Sequence, residues 1–377
     1  MEHFDRQNKK KVIWFTNIPS PYRVDFFEQL GKRINLTVVF EKAASDERDS
    51  SWKNYSFNNF TGIILNGKKI ATDKAFDKKI FDYLKQTDKY DYIIISNPMT
   101  VSGVISVHYL RRHNLPFIIE TDGGFPGDGK GIIEKVKKYV ISSAKYLFST
   151  SDIHDKYYIK YGATKEQIFR YPFSSISVTN IVSEKQLFEE KLRAKSKLEL
   201  TNKKVIISVA QFIPRKGIDL LLKSAINFSD DVVYLILGGE PTIEYQQIIK
   251  QNNLSNIIFP GFISKSEIEL YYFAADIFIL PTREDIWGLV INEAMAYGLP
   301  IITTDKCLAG VELIENGVNG FVIPTENVDE ITNKTRSLLS HKDLINKIFK
   351  NNILKAKEYT IEKMVDWHEE FFKNKRE

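Results

Sequence analysis

Two acids stand eight residues apart in PTREDIWGLVINEAMAYGLP, residues 281–300, where Asp285 and Glu293 bracket Trp287 and Gly288. The apolar run Ile277 to Leu280 precedes them. Val290, Ile291, Ala294 and Tyr297 then recur at helical spacing until Gly298 and Pro300 stop the pattern. The segment predicts a strand, a tight turn holding Asp285, and a helix carrying Glu293 on its second turn. A second stretch, SVAQFIPRKGIDLLLKSA at 208–225, passes from a strand through Arg215, Lys216 and Gly217 into another helix. Adjacent cations ahead of a helix N-terminus make an anion site, because exposed N–H groups and the dipole add to the side-chain charge. An isolated Arg-Lys pair is ordinarily solvated surface, but this one falls in the first strand-to-helix turn of a sheet, at its binding edge. Cations and N–H groups suit a diphosphate, and carboxylates accept strong hydrogen bonds from paired hydroxyls. A nucleoside diphosphate sugar offers both.

Holding these groups together requires open parallel sheets. Short apolar runs alternate with helical patterns, in the first half at Val12–Thr16, Leu36–Phe40, Ile63–Leu65, Tyr92–Ser96, Phe117–Glu120 and Tyr146–Thr150. In the second half they fall at Val205–Ala210, Val232–Leu237, Ile257–Phe259, Ile277–Pro281, Ile301–Thr304 and Phe321–Ile323. NKKKVIWFTNI from residue 8 and NKKVIISVAQF from residue 202 open the two series almost alike. The expected class is α/β: two doubly wound Rossmann-like domains facing across a cleft, with ligands beyond the carboxyl ends of the strands. An N-terminal domain over 1–180 and a C-terminal domain over 181–354, the latter holding the nucleotide-sugar groups, are expected, with the Lys-rich stretch from Ser183 to Lys203 following the boundary. A helix over about 355–377, with apolar Ile361, Met364, Val365, Trp367 and Phe371, should pack back on the first domain.

Composition narrows the classes. At 377 residues the chain exceeds the ~250–300 residues at which single cores stop growing, and 43% hydrophobic with 27% charged residues suits ordinary globular domains. The lone Cys307 cannot form an internal disulfide, which fits a reducing compartment. The first apolar run, Val12 to Phe15, is too short for a signal peptide, and no run reaches spanning length. A cytoplasmic protein, at most peripheral on the inner face of the cell membrane, is expected. A formal charge of +5 without a dense basic stripe argues against nucleic acid as a partner. TNIPSPYRVDFF has no glycine where a dinucleotide fingerprint requires it, which takes away most of the support for hydride chemistry on NAD. GFPGDGKG at 124–131 imitates a P-loop, but Gly131 stands where Ser or Thr must hold magnesium, so it reads as a mobile loop. With no D-x-D pair and no His/Asp cluster, neither metal nor cofactor is expected.

SVAQFIPRKG, GFISKSEIELYYFAADIFILPT, REDIWGLVINEAMAYGLPII and ELIENGVNGFVI resemble the retaining glycosyltransferases of family four, which have the two-domain GT-B fold. The resemblance is specific over about residues 203–325 and looser in the N-terminal half, in SPYRVDFFEQL and FRYPFSS. It implies that Glu293 binds ribose hydroxyls and that Asp285 faces the transferred sugar. It also implies that the backbone near Trp287, Gly288 and Leu289 contacts sugar and diphosphate, that Lys216 holds the diphosphate, and that Phe262 lies beside the nucleobase. Three departures stand out. The first acid is usually Glu, and Glu284 is a neighbour able to share the role of Asp285. The usual arginine before the lysine falls near Gln211, with Arg215 as the available substitute. The usual histidine of the N-terminal domain is missing from FIIETDGGF, which offers Asp122, or alternatively Glu120, to orient the sugar or acceptor hydroxyl.

The expected reaction moves a sugar from a nucleoside diphosphate, UDP by family habit and GDP next, to a hydroxyl with anomeric configuration retained. Attack from the leaving group's own face would be catalysed by positioning and by stabilising the departing diphosphate through Lys216, Arg215 and the helix start at 287–289. Tyr22, Arg23, Gly123 and Gly124, within or beside the 122–131 loop and the first strand's end, are the acceptor candidates. Lys130, Lys135, Lys137, Lys138 and Lys145 against Glu134, with Ile132, Ile133, Val136, Val140 and Ile141, form a basic amphipathic helix over 130–145, either able to lie on anionic lipid or a solvated helix packed on its own sheet. A saccharide or lipid-linked saccharide acceptor in surface polysaccharide assembly follows. The competing classes are a nucleotide-sugar epimerase of the same architecture and a catalytically weak partner subunit.

Overall fold

The computed structural model describes residues 9–43, 56–65, 67–71, 74–264 and 267–375. The first eight residues of the N-terminal stretch, Lys265 and Ser266 of the GFISKSEIEL motif, and the last two residues lie outside them. The chain divides into two compact units, Met1–Ser175 with Thr360–Glu377, and Ile176–Tyr359.

The first unit is built on a parallel sheet of seven strands: β1 (Lys11–Thr16), β2 (Asn35–Phe40), β3 (Thr61–Ile64), β6 (Tyr92–Ser96), β7 (Ile118–Glu120), β8 (Tyr146–Ser149) and β9 (Ile168–Arg170). A separate antiparallel pair joins β4 (Lys68–Ala71) to β5 (Lys74–Phe76). The sheet order is β3-β2-β1-β6-β7-β8-β9, so the order reverses between β1 and β6, where Val12 pairs with both Leu36 and Tyr92. Val12, Ile13 and Trp14 are fully buried, as expected of a strand covered on both faces, and Trp14 Nε1 donates to Ser96 Oγ at 2.8 Å. The helix Ile361–Asn374 closes this unit. Its His368 is buried among the rings of Trp14, Phe26, Phe148 and Tyr171, and Met364 Sδ accepts from Ser174 N.

The second unit carries β10 (Lys204–Val209), β11 (Val232–Leu237), β12 (Ile257–Ile258), β13 (Ile277–Leu280), β14 (Ile301–Thr304) and β15 (Gly320–Ile323) in a parallel sheet of order β12-β11-β10-β13-β14-β15. Ile206 pairs with Tyr234 on one side and Ile277 on the other, so the reversal here lies between β10 and β13. The loops leaving those two strands are the ones that carry Arg215–Lys216 and Asp285. In open sheets of this kind the crevice at such a reversal is where ligands bind.

Two boundaries differ from the sequence expectation, and two elements are added to it. The division falls at 175/176 rather than 180/181. The closing helix starts at Ile361 rather than 355. Residues 355–358 finish a separate helix, Lys342–Glu358, and the extended Thr360 caps the next one through Lys363 N. Strand β9 and the β4–β5 pair were not foreseen; β9 is three residues long and ends in an exposed arginine.

Candidate functional site

Arg215 and Lys216 sit in a single 3-10 turn, Pro214–Lys216, that runs into the helix Ile218–Ala225 through Gly217. Gly217 has φ +68°, and a Cβ there would lie 2.1 Å from Pro281 O, so only glycine lets this turn approach the end of β13. Cross-ties then fix the cation turn to the acid turn. Arg283 N donates to Arg215 O at 2.7 Å, and Thr282 Oγ1 lies 2.9 Å from Arg215 O and 3.0 Å from Glu284 O. The Arg283 guanidinium reaches Pro214 O at 2.6 Å, grips both carboxylate oxygens of Asp219 at 2.8 and 2.9 Å, and contacts Glu326. Burial alone would raise the Asp219 pKa, but the hydrogen bonds and charge of Arg283 outweigh it and hold the carboxyl below its ordinary value.

On this scaffold Lys216 Nζ pairs with Asp285 Oδ2, while Arg215 donates to Glu284 O at 2.8 Å and stands 3.9 Å from Asp285 Oδ1. Asp285 is nearly buried, and its backbone is paired through Asp285 N to Lys306 O and Leu308 N to Asp285 O. The helix Leu289–Ala296 begins after Gly288, whose φ of +98° and close contact with Cys307 Sγ again require glycine. Trp287 turns its ring inward: it is buried, Nε1 donates to Asn292 Oδ1 at 2.9 Å, and its carbonyl accepts from Ala309 N and Cys307 Sγ. Trp287 thus offers backbone, not an aromatic face. Burial pushes the Cys307 thiol up to about 12, consistent with a packing role beneath this turn. Glu293, on the helix's second turn, is half-buried and accepts from the phenol of Tyr272 at 2.9 Å. Phe262 is 64% exposed, Gln211 is exposed, and Leu289 is half-buried.

In the first unit, polar residues gather at the carboxyl end of β7. Arg23, 4% exposed, bridges Glu120 and Asp122, the latter at 2.5 Å. Tyr22 Oη donates to Asp122 Oδ2 at 2.8 Å, Tyr171 Oη donates to Glu120 at 3.1 Å, and His368 Nε2 lies 3.4 Å from Glu120. Burial would raise the Glu120 pKa, but Arg23 and His368 outweigh it and hold it low. Two sequence readings change here. Arg23, expected to face an acceptor, is instead the buried counter-ion of two acids. Glu120 is fully buried and paired, so of the two alternatives only Asp122, with about a third of its side chain exposed, can reach a ligand. Gly123 and Gly124 follow in a half-buried loop against the Tyr157 ring.

Sequence reasoning missed several groups. His154 lies behind this loop, where Thr150 N donates to Nδ1 at 3.2 Å and Nε2 stands 2.9 Å from Thr121 Oγ1; burial depresses its pKa to about 3. Glu41, at the end of β2, is buried with Thr100 Oγ1 donating to it at 2.5 Å, and burial raises its pKa to about 7. Tyr272 and Arg283 lie inside the GFISKSEIELYYFAADIFILPT and REDIWGLVINEAMAYGLPII motifs but carry no local signal of their partners, which are distant in sequence. Among the described residues no three of His, Cys, Asp and Glu are grouped to hold a metal, and no helix is long and apolar enough to cross a membrane.

Residues 189–355 match the family described as glycosyl transferases group 1, and this span lies wholly within the second unit. Unit two is a group 1 glycosyltransferase domain. It holds all the strands of the second sheet and every candidate from Gln211 to Glu293. The chain is 28% identical over 299 residues to an uncharacterized glycosyltransferase of Haemophilus influenzae, covering 78% of each chain. It is 27% identical over 218 residues to the alpha-galactosylglucosyldiacylglycerol synthase of Streptococcus pneumoniae, covering 54% of this chain and 55% of that one. In fold it is similar to Anabaena Alr3699/HepE, solved in complex with UDP, at a TM-score of 0.78 and 15% identity over 97% of this chain and 100% of that one. The chain thus pairs the matched group 1 span with a second parallel-sheet α/β unit, a two-domain fold of the GT-B kind.

Proposed function

We propose that this glycosyltransferase takes its sugar from a nucleoside diphosphate, UDP before GDP, and transfers it to a hydroxyl of a saccharide acceptor with retention of anomeric configuration. The observation that carries the reading is the joining of the cation turn and the acid turn, with Lys216 and Arg215 both directed at the Asp285 turn ahead of the helix that bears Glu293. Lys216, Arg215 and the N–H groups at the helix start take the diphosphate, Asp285 exchanges its lysine contact for the sugar, and Glu293 accepts from the ribose. Protein cations, rather than a metal, offset the charge of the leaving diphosphate, and no carboxylate is required as a nucleophile. Asp122, held by Tyr22 and Arg23, orients the acceptor hydroxyl in the first unit.

A lipid-linked acceptor is favoured by the helix Ile132–Ile141, which leaves Ile132 73% and Ile133 62% exposed beside exposed Lys130, Lys135 and Lys138. Binding to anionic vesicles that weakens with salt is expected, and binding indifferent to salt would remove the electrostatic part. The donor assignment is tested by thermal stabilisation against UDP- and GDP-sugars, followed by turnover of Lys216→Ala and Glu293→Ala. Each should lose at least about a hundredfold, since one such stabilising group is worth ~3 kcal/mol. Wild-type turnover in both variants would discard the assignment.

A further inference from the structure

Tyr272 is an unusual neighbour for a carboxylate that must meet a ligand. It lies near the end of the helix Ile268–Ala274 and is only 1% exposed. Its ring stacks on Tyr297 at 4.9 Å and 12°, and lies 6.3 Å from Phe278 of β13 at 27°. Tyr297 directly follows the helix that bears Glu293, and Phe273 packs edge-on against it at 5.0 Å. The phenol therefore cannot swing away. It reaches the Glu293 carboxylate at 2.9 Å, a charge-assisted bond from a rigid donor.

We infer that Tyr272 is a positioning residue for the nucleotide: its phenol orients the Glu293 carboxylate that receives the ribose hydroxyls. The inference rests on the donor-site reading above and adds the group that makes Glu293 selective. A glutamate side chain has three torsions to immobilise, and the entropy of doing so is otherwise lost on ligand binding. Here one oxygen is already anchored from the protein side. An ionised carboxylate has about four lone-pair sites, so the phenol occupies one of them and does not itself bar a vicinal diol. Burial, and next the adjacent carboxylate, raise the Tyr272 pKa well above its ordinary value, so the phenol keeps its proton as a donor across the working range.

Tyr272→Phe removes one oxygen and keeps the ring stack. Affinities of the full chain for UDP and GDP are compared with those for their 2′,3′-dideoxy counterparts, in wild type, Tyr272→Phe, Glu293→Ala and the double variant. The expected result is that Tyr272→Phe weakens the ribonucleotide about tenfold, in line with a hydrogen bond to a charged group, and leaves the dideoxy compound unchanged. Donor KM should rise while kcat stays near wild type, and Tyr272→Phe should add nothing in the Glu293→Ala background. Equal losses for both nucleotides, unaltered ribonucleotide affinity, or a Tyr272→Phe chain that no longer folds would each overturn the inference, the last because the phenol would then serve the core. Glu293→Ala that binds the ribonucleotide as wild type does would instead take down the donor-site reading, so the two failures are told apart.

Discussion

Arg23 holds two carboxylates, and only one of them reaches solvent. Removing the guanidinium would strand Glu120 in a fully buried place with only Tyr171 and His368 for partners. Arg23→Ala is therefore expected to cost about 3–5 kcal/mol in denaturant unfolding of the first unit, whereas Asp122→Asn should cost far less stability and most of the activity. Glu41 gives a pH-dependent counterpart. Its folded pKa of about 7 lies above the ordinary carboxyl value, so it favours folding at low pH and opposes it progressively as pH rises toward and through 7. Glu41→Gln should flatten that part of the stability–pH profile and be worth up to about 3 kcal/mol at pH 8, read by urea titration across pH. At this scale the sequence was half legible. Lys216, Asp285 and Glu293 announce themselves through local motifs, whereas the partners of Arg23, nearly a hundred residues away, are set by the strand order.

The turns after β10 and β13 act as one element, tied by Thr282 and Arg283. Gly217→Ala should break this tie, since the new methyl would meet Pro281 O in a left-handed backbone. The expected outcome is a loss of more than about 1 kcal/mol in stability together with weaker nucleotide binding, measured by thermal shift with and without UDP. Ser at the same position should behave like Ala, because the clash is with Cβ. Elements were the most readable level: twelve β-runs and the strand–turn–helix of 277–296 follow from apolar runs bounded by glycine and proline. What escaped were pieces too short to show a period, such as β9, and the Tyr359–Thr360 break, where one helical pattern runs into another without a proline.

At the level of the whole molecule, the donor reading assigns ligand protection to one unit. Hydrogen exchange with UDP present should slow in the β10 and β13 loops and in the helix Leu289–Ala296, and remain unchanged at β1 and β2; nucleotide at a hundredfold its Kd adds about 2.7 kcal/mol to whatever it binds. Uniform protection of both sheets would contradict the assignment. The division itself has a biosynthetic consequence. The second unit is one continuous stretch ending at Tyr359, while the first is split and is finished only by the helix that covers Trp14, Phe26 and Phe148. The earlier half of the chain thus cannot finish folding ahead of the later half, contrary to the usual vectorial order. A premature stop just past Tyr359 would release a polypeptide with one finished module and one bearing a bare aromatic wound for chaperones and proteases to find.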